Sequence, residues 1–219
     1  MTTLSRLEYL NMSGVDEIVN EITRELEATN QARDRALVES RQVVRHAATG
    51  IRALHRGEHE AAAASLLEGQ AMVQATRLDL GSHPDLYWTG YVQDAQKEIA
   101  EAFLVSAILE KRAVPGPREI GVENAPYLNG MAEAASEMRR YVLDIIRRGG
   151  DAEMEEAERV LQIMDDIYTN LTTVDFPDAI TGGLRRTTDS LRAVLERTRG
   201  DLTISIRQAE LARALSRGT

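Results

Sequence analysis

Val43-Val44-Arg45-His46-Ala47-Ala48-Thr49-Gly50-Ile51-Arg52-Ala53-Leu54 is the stretch whose reading decides the fold. Val43, Val44, Ala47, Ala48, Ile51 and Leu54 recur at helical spacing, which lays them along one face of an α-helix. Upstream, Val15, Ile18, Val19, Ile22 and Leu26 carry the same stripe back to Ser13-Gly14-Val15-Asp16, where a serine followed by an acid three residues on reads as an N-cap. Downstream, nothing stops the pattern before Gly57. The spacing predicts one helix of ~40 residues, ~60 Å at 1.5 Å per residue, which is long for a compact monomer.

The rest of the chain follows suit. Ala62, Leu66, Leu67, Met72 and Val73 mark a second helix from Glu58 to Leu80, closed by Gly81, and Pro84 stands at the first turn of a third. That third helix, from about Pro84 to Arg112, is the most apolar. Ile99, Ala102, Phe103, Leu104, Val105, Ala107, Ile108 and Leu109 leave little of its second half fit for solvent, so it belongs at the centre. Pro115-Gly116-Pro117 breaks the pattern, and the stretch to Pro126 reads as a loop with one short helical turn. A fourth helix runs from about Tyr127 to Arg148, and a fifth from a cap at Asp151 to about Thr173. Phe176-Pro177 to Gly183 then links to a sixth that continues towards Leu215, with a kink expected at Gly200. The expectation is an all-α protein with a single domain over residues 1–219, a long antiparallel bundle of about six or seven helices.

Composition agrees and excludes several functions. Of 219 residues, 43% are hydrophobic, 28% charged and only 4% aromatic, the usage of long helices rather than of a β-sandwich. Lys+Arg 26 against Asp+Glu 35 leaves a formal net charge of −9, so any grip on nucleic acid must be local rather than diffuse. The absence of cysteine excludes disulfides, thiolate nucleophiles and Cys-ligated metals, and it suits a reducing cytoplasm, the expected location. No apolar run reaches the ~18 residues of a membrane span, and Met1 to Leu10 lack the apolar core of a signal peptide, so no membrane is expected. Walker-type loops, GxSxG elbows and His-Glu-x-x-His motifs are missing too. The four histidines, His46, His55, His59 and His83, read as surface residues.

Two pairs of acids stand out from the solvated helix surface. Glu98 and Glu101 are three apart, and Glu133 and Glu137 four apart, each on one helix face. Glu101 leads directly into the apolar run, while Glu133 and Glu137 lie among Met131, Ala132, Ala134, Ala135 and Met138 with little positive charge before Arg139. Ionised carboxylates in such surroundings call for a divalent metal or a shared proton, and an all-oxygen set favours magnesium or manganese. No histidine follows them at the Glu-x-x-His offset of a di-iron bundle. The alternative is ordinary, partly exposed acids. Arg41, Arg45, Arg52 and Arg56 fall within an arc of ~60° on the first helix, which fits either a phosphate track or a solvated face paired with acids. Arg139 and Arg140, together with Arg185 and Arg186 after Gly182-Gly183, are further candidates for holding phosphate.

Gln96-Lys97-Glu98-Ile99-Ala100-Glu101-Ala102 and Tyr127-Leu128-Asn129-Gly130-Met131-Ala132-Glu133-Ala134-Ala135-Ser136-Glu137-Met138-Arg139-Arg140 resemble motifs of the translin/Trax family. His55-Arg56, Met164-Asp165-Asp166-Ile167-Tyr168, Phe176-Pro177-Asp178 and Gly183-Leu184-Arg185-Arg186 extend the resemblance, in order, over almost the whole chain. It implies an all-α fold of about seven helices and a hollow, closed, octamer-like homo-oligomer that binds single-stranded RNA, or alternatively DNA, inside. The Trax branch of the family is a magnesium-dependent endoribonuclease, and its metal-binding acids are implied to fall on Glu98, Glu101, Glu133 and Glu137. Where the family pattern has Asp, this chain has Glu133, one methylene longer, which bears on strict octahedral magnesium geometry. With few bases besides Lys97 on the helix from Pro84, the chain looks Trax-like, in a single-subunit, self-assembling form.

The expected chemistry is hydrolysis of an RNA phosphodiester by water at one or two magnesium ions held by the four glutamates. Arg139, Arg140, Arg185 or Arg186 would position the backbone, and Tyr87, Trp88 or Tyr91 would stack bases where exposed. The rival is a non-catalytic shell in which the acids are structural and the Arg41 to Arg56 stripe or the Arg185 cluster grips nucleic acid. A helical scaffold that binds neither is the third reading.

Overall fold

The computed structural model describes residues 12–217, with side chains described over 14–216. Met1 to Leu10, and the expectation drawn from them, lie outside the described residues. Among the described residues there are nine helices and no strand. Six are long: α1 (Met12–His55), α2 (His59–Asp79), α4 (Gly90–Leu109), α6 (Asn124–Arg148), α7 (Asp151–Thr172) and α9 (Leu184–Arg217). Three are single turns: α3 (Pro84–Tyr87), α5 (Pro117–Ile120) and α8 (Asp178–Thr181). None is long and apolar enough to cross a membrane.

The apolar stripe of α1 makes the helix and also decides what it packs on. Val43, Ala47, Ala53 and Leu54 are buried where α1 meets α2 and α4. In its first half the stripe has no cover: Val15, Ile18, Val19, Ile22 and Leu26 are all about half exposed or more. The helix begins by Met12, ahead of the expected cap at Ser13, whose own side chain is not among those described. At the centre, α4 packs on α1 and α6, and α6 in turn carries α7 and α9. Ile99, Ala100, Ala102 and Val105 on α4 are fully buried, as the sequence predicts for the most apolar helix, and so are Ala132, Ala134, Ala135 and Met138 on α6. Each large side chain buried in this way stabilises the fold by roughly 1.5–3 kcal/mol before conformational entropy is counted.

Three boundaries differ from expectation. The third helix is split: α3 ends at Tyr87, Trp88 and Thr89 intervene, and α4 starts at Gly90. Thr89 is extended (φ −70°, ψ 151°), its hydroxyl donates to the Leu86 carbonyl at 2.6 Å, and the Gln93 side-chain Nε2 donates to the Tyr87 carbonyl at 2.9 Å, so the backbone groups freed by the break are met locally. α6 starts at Asn124 rather than Tyr127, placing Pro126 in its first turn where no amide hydrogen is needed. Asp151 is the first residue of α7 rather than its cap, and the cap position is Gly150 at φ 118°. α9 runs through Gly200 without a break in its helix.

Candidate metal centre

A glycine brings the site together. A Cβ at Gly130 of α6 would lie 2.7 Å from the Lys97 carbonyl oxygen and 3.0 Å from the Glu101 amide nitrogen of α4, so only a glycine lets the two backbones approach this closely. One turn along, Glu133 faces Glu98 and Glu101, and an oxygen of each lies within 4.8 Å of the others. Spacing along one helix puts Glu98 and Glu101 together; the helix crossing adds Glu133.

The fourth expected acid is held differently. Glu137 lies outside this converging trio, with its Oε1 2.7 Å from His55 Nε2 at the end of α1. The His55 side chain is only 4% exposed, which overturns its reading as a surface histidine. The signal was present: His55 follows Ile51 by four residues and continues the buried face of α1. Lys97 is the other partner not anticipated from sequence. Its Nζ stands 2.9 Å from Glu133 Oε1 and 3.3 Å from Glu98 Oε1, so the acids of α6 do have positive charge nearby, supplied across the helix crossing.

Electrostatics single out Glu101. Burial first, then the charges of Glu98, Glu133 and Glu137, push its carboxyl up to about 8, with Lys97 opposing. Burial alone would lower the Lys97 ammonium, but its bonds to Glu133 and Glu98 hold it above the ordinary lysine value. One ammonium therefore faces three carboxylates, and Glu101 has no ion pair among the described residues. An all-oxygen donor set with surplus negative charge and no histidine among the three fits a hard divalent cation such as magnesium or manganese.

A groove of about 520 Å³ borders the trio: Glu133 and its partner Lys97 line it, with Trp88, Ile180 and Arg186. Arg186 is exposed and has no side-chain partner among the described residues. The other basic candidates are placed differently. Arg139 is a strut, 2.7 Å from Asp201 and 3.2 Å from Thr198, tying α6 to α9 rather than facing solvent as a phosphate holder. Arg185 pairs with Asp175 at 3.3 Å. Arg140, Arg41 and Arg45 are exposed, away from the groove lining, while Arg52 donates to Thr49 and Arg56 grips Glu58 with two bonds. Among the aromatics, Tyr87 is buried and donates to Glu123 at 2.7 Å, and Tyr91 is half-buried against the cluster that contains Leu80 and Val92, so neither is exposed in the groove lining. Trp88, 61% exposed, is.

The chain is 27% identical over 216 residues to an uncharacterized protein of Methanocaldococcus jannaschii, covering 98% of this chain and 94% of that one. No protein-family model matches it. Two solved structures of AfC3PO, one of them a complex with duplex RNA, superpose at a TM-score of 0.78 with 28% identity, covering 88% of this chain and 98% of AfC3PO. The chain is translin/Trax-like. The apo structure of NeC3PO shares the fold of this translin/Trax-like chain, at a TM-score of 0.76 over 94% of it with 16% identity.

Proposed function

We propose that this translin/Trax-like chain is a magnesium-dependent endoribonuclease that hydrolyses single-stranded RNA phosphodiesters inside a hollow homo-oligomer in the cytoplasm, with manganese as the second choice of ion. The convergence of Glu98, Glu101 and Glu133 from two central helices, with more negative charge than Lys97 neutralises, is the observation that carries it. Those three side chains would hold the cation, with Glu137 as a fourth acid one turn further along α6. A divalent cation held there supplies activation of a water and stabilisation of charge on the phosphate. The chain's own groups do the rest. The His55 Nε2–H donates to Glu137 and fixes its carboxylate, and Lys97 offers an ammonium to a phosphate oxygen. The uncovered stripe of α1, with Leu211 and Leu215 near the end of α9, is apolar surface that a second copy would bury. AfC3PO, 28% identical, forms a complex with duplex RNA, which supports RNA as the ligand and makes strandedness part of the test.

The test is cleavage of end-labelled unstructured RNA, the same RNA annealed to its complement, and single-stranded DNA, with magnesium, manganese or chelator, by the wild type and Glu133→Ala. Metal-dependent cuts in the unstructured RNA that vanish in the variant are the expected result. A second reading is a non-catalytic RNA-binding shell. The contacts of Lys97 with Glu98 and Glu133, and of His55 with Glu137, favour it, because three of the four acids then have partners without a metal. RNA held intact in every metal condition would decide for the shell.

A further inference from the structure

The largest exposed aromatic of the molecule sits in the groove beside the carboxylate trio, and neither the helical fold nor the cation requires it there. Trp88 is 61% exposed in the two-residue break between α3 and α4. It is also held in place: its ring meets that of Tyr87 edge-on, 5.1 Å between centroids at 82°, and the Tyr87 hydroxyl is bonded to Glu123. An exposed indole on a rigid support loses little freedom when something flat lies on it. Arg186, unpartnered among the described residues, lines the same groove, as do Lys97 and Glu133, so one wall is shared with the trio. The groove is of a size that takes a small organic ligand.

We infer that this groove seats the nucleotide flanking the cleaved phosphate, with its base stacked on Trp88 and its phosphate on Arg186. The inference rests on the RNA-cleavage reading and specifies where the strand lies. It also bears on base preference. Of the two amide side chains that line the groove, Asn129 is used up, its nitrogen donating to the Ala125 and Thr181 carbonyls and its oxygen accepting from Thr187, while Gln93 commits its nitrogen to the Tyr87 carbonyl and keeps its oxygen. Stacking on Trp88 itself tolerates all four bases, because every base has a π-face. The exposed carboxylate of Asp94, also in the lining, keeps the phosphate to the Arg186 side.

Because Trp88 is the chain's one tryptophan, its emission reports on this site alone. The experiment titrates the full-length protein, in chelator so that nothing is cut, with oligouridylate and oligoadenylate octamers. Tryptophan emission is followed alongside the anisotropy of a labelled copy of each octamer. The expected result is saturable quenching with the same midpoint as the anisotropy change, similar for both octamers. Trp88→Ala should weaken binding about tenfold while Trp88→Phe keeps most of it. Arg186→Ala should weaken binding and lower the slope of log affinity against log salt by about one. Binding without quenching, or with Trp88→Ala unchanged, overturns the inference, as does emission that depends on protein concentration alone, which would put a second copy on Trp88. Quenching without any metal-dependent cleavage keeps the groove and removes the hydrolysis. Cleavage with an unaltered KM in Trp88→Ala does the reverse.

Discussion

His55, in the last turn of α1, holds Glu137 of α6 at 2.7 Å, joining the first helix to a fourth acid whose charge is felt by Glu101 of the carboxylate trio. A ligand whose orientation is fixed by a second residue binds metal more tightly than a free one, and loss of such a partner usually lowers affinity 10–100-fold. His55→Ala is expected to weaken magnesium binding about tenfold, measured by titration calorimetry. His55→Gln, which keeps a donor, should recover part of the loss. Equal affinity in all three proteins would show that Glu137 plays no part in the centre.

Glu101 makes the metal-free protein dependent on pH. Its folded value of about 8 lies above the unfolded 4.5, so the native state binds the proton more tightly. The Glu101 contribution to stability is therefore full below pH 4.5, falls as pH rises towards 8, and levels off above it. Glu101→Gln removes this penalty. The variant is expected to be about 1–3 kcal/mol more stable than the wild type at pH 7 in chelator, with no gain at pH 4, by denaturant unfolding. It should also lose the rise in Tm that magnesium gives the wild type.

Gly130 tests the helix crossing. A methyl there meets the α4 backbone at 2.7 Å, which cannot move without parting the two central helices. Gly130→Ala is expected to be destabilised by about 1–3 kcal/mol and to bind metal poorly, because Glu133 moves with α6. Calorimetry and thermal melts on the same sample check both. Gly200→Ala, on α9 with nothing within 4 Å of the added methyl, is the control and should match or exceed the wild type.

Glu156 gives the opposite pH dependence, away from the centre. Its bonds to Arg159, against a smaller opposing effect of burial, and then to Lys111 hold it down at about 2. The folded value lies below the unfolded one, so the contribution is present above pH 4.5 and lost as pH falls through 2. Glu156→Gln should cost about 1–2 kcal/mol at pH 7 and nothing near pH 2, after allowance for its partial exposure.

The fold was largely legible because helical periodicity is a local property. Val43 to Leu54 and Ile99 to Leu109 announce their buried faces in their own spacing, and all six long helices appear where the sequence predicts them. The break at Trp88-Thr89 was missed because the apolar pattern runs across it; Thr89-Gly90, an extended residue before a glycine, was the only sign. At the site, the acid pairs were visible from their spacing. The contributions of Lys97 and His55 were not, since each depends on which helix lies opposite, 36 and 82 residues away. Arg139 erred the other way: a basic residue near an acid motif reads as a phosphate holder until Asp201 is seen beside it.

The most direct test of the carboxylate centre is manganese binding to the purified wild type, Glu101→Gln and Glu133→Ala, followed by the free-ion electron paramagnetic resonance signal. A metal centre requires saturable binding of one or two ions per wild-type chain, loss of the tight site in both variants, and displacement by magnesium. Binding that is absent in the wild type, or unchanged in both variants, would contradict it and leave Glu98, Glu101 and Glu133 as a purely structural cluster around Lys97.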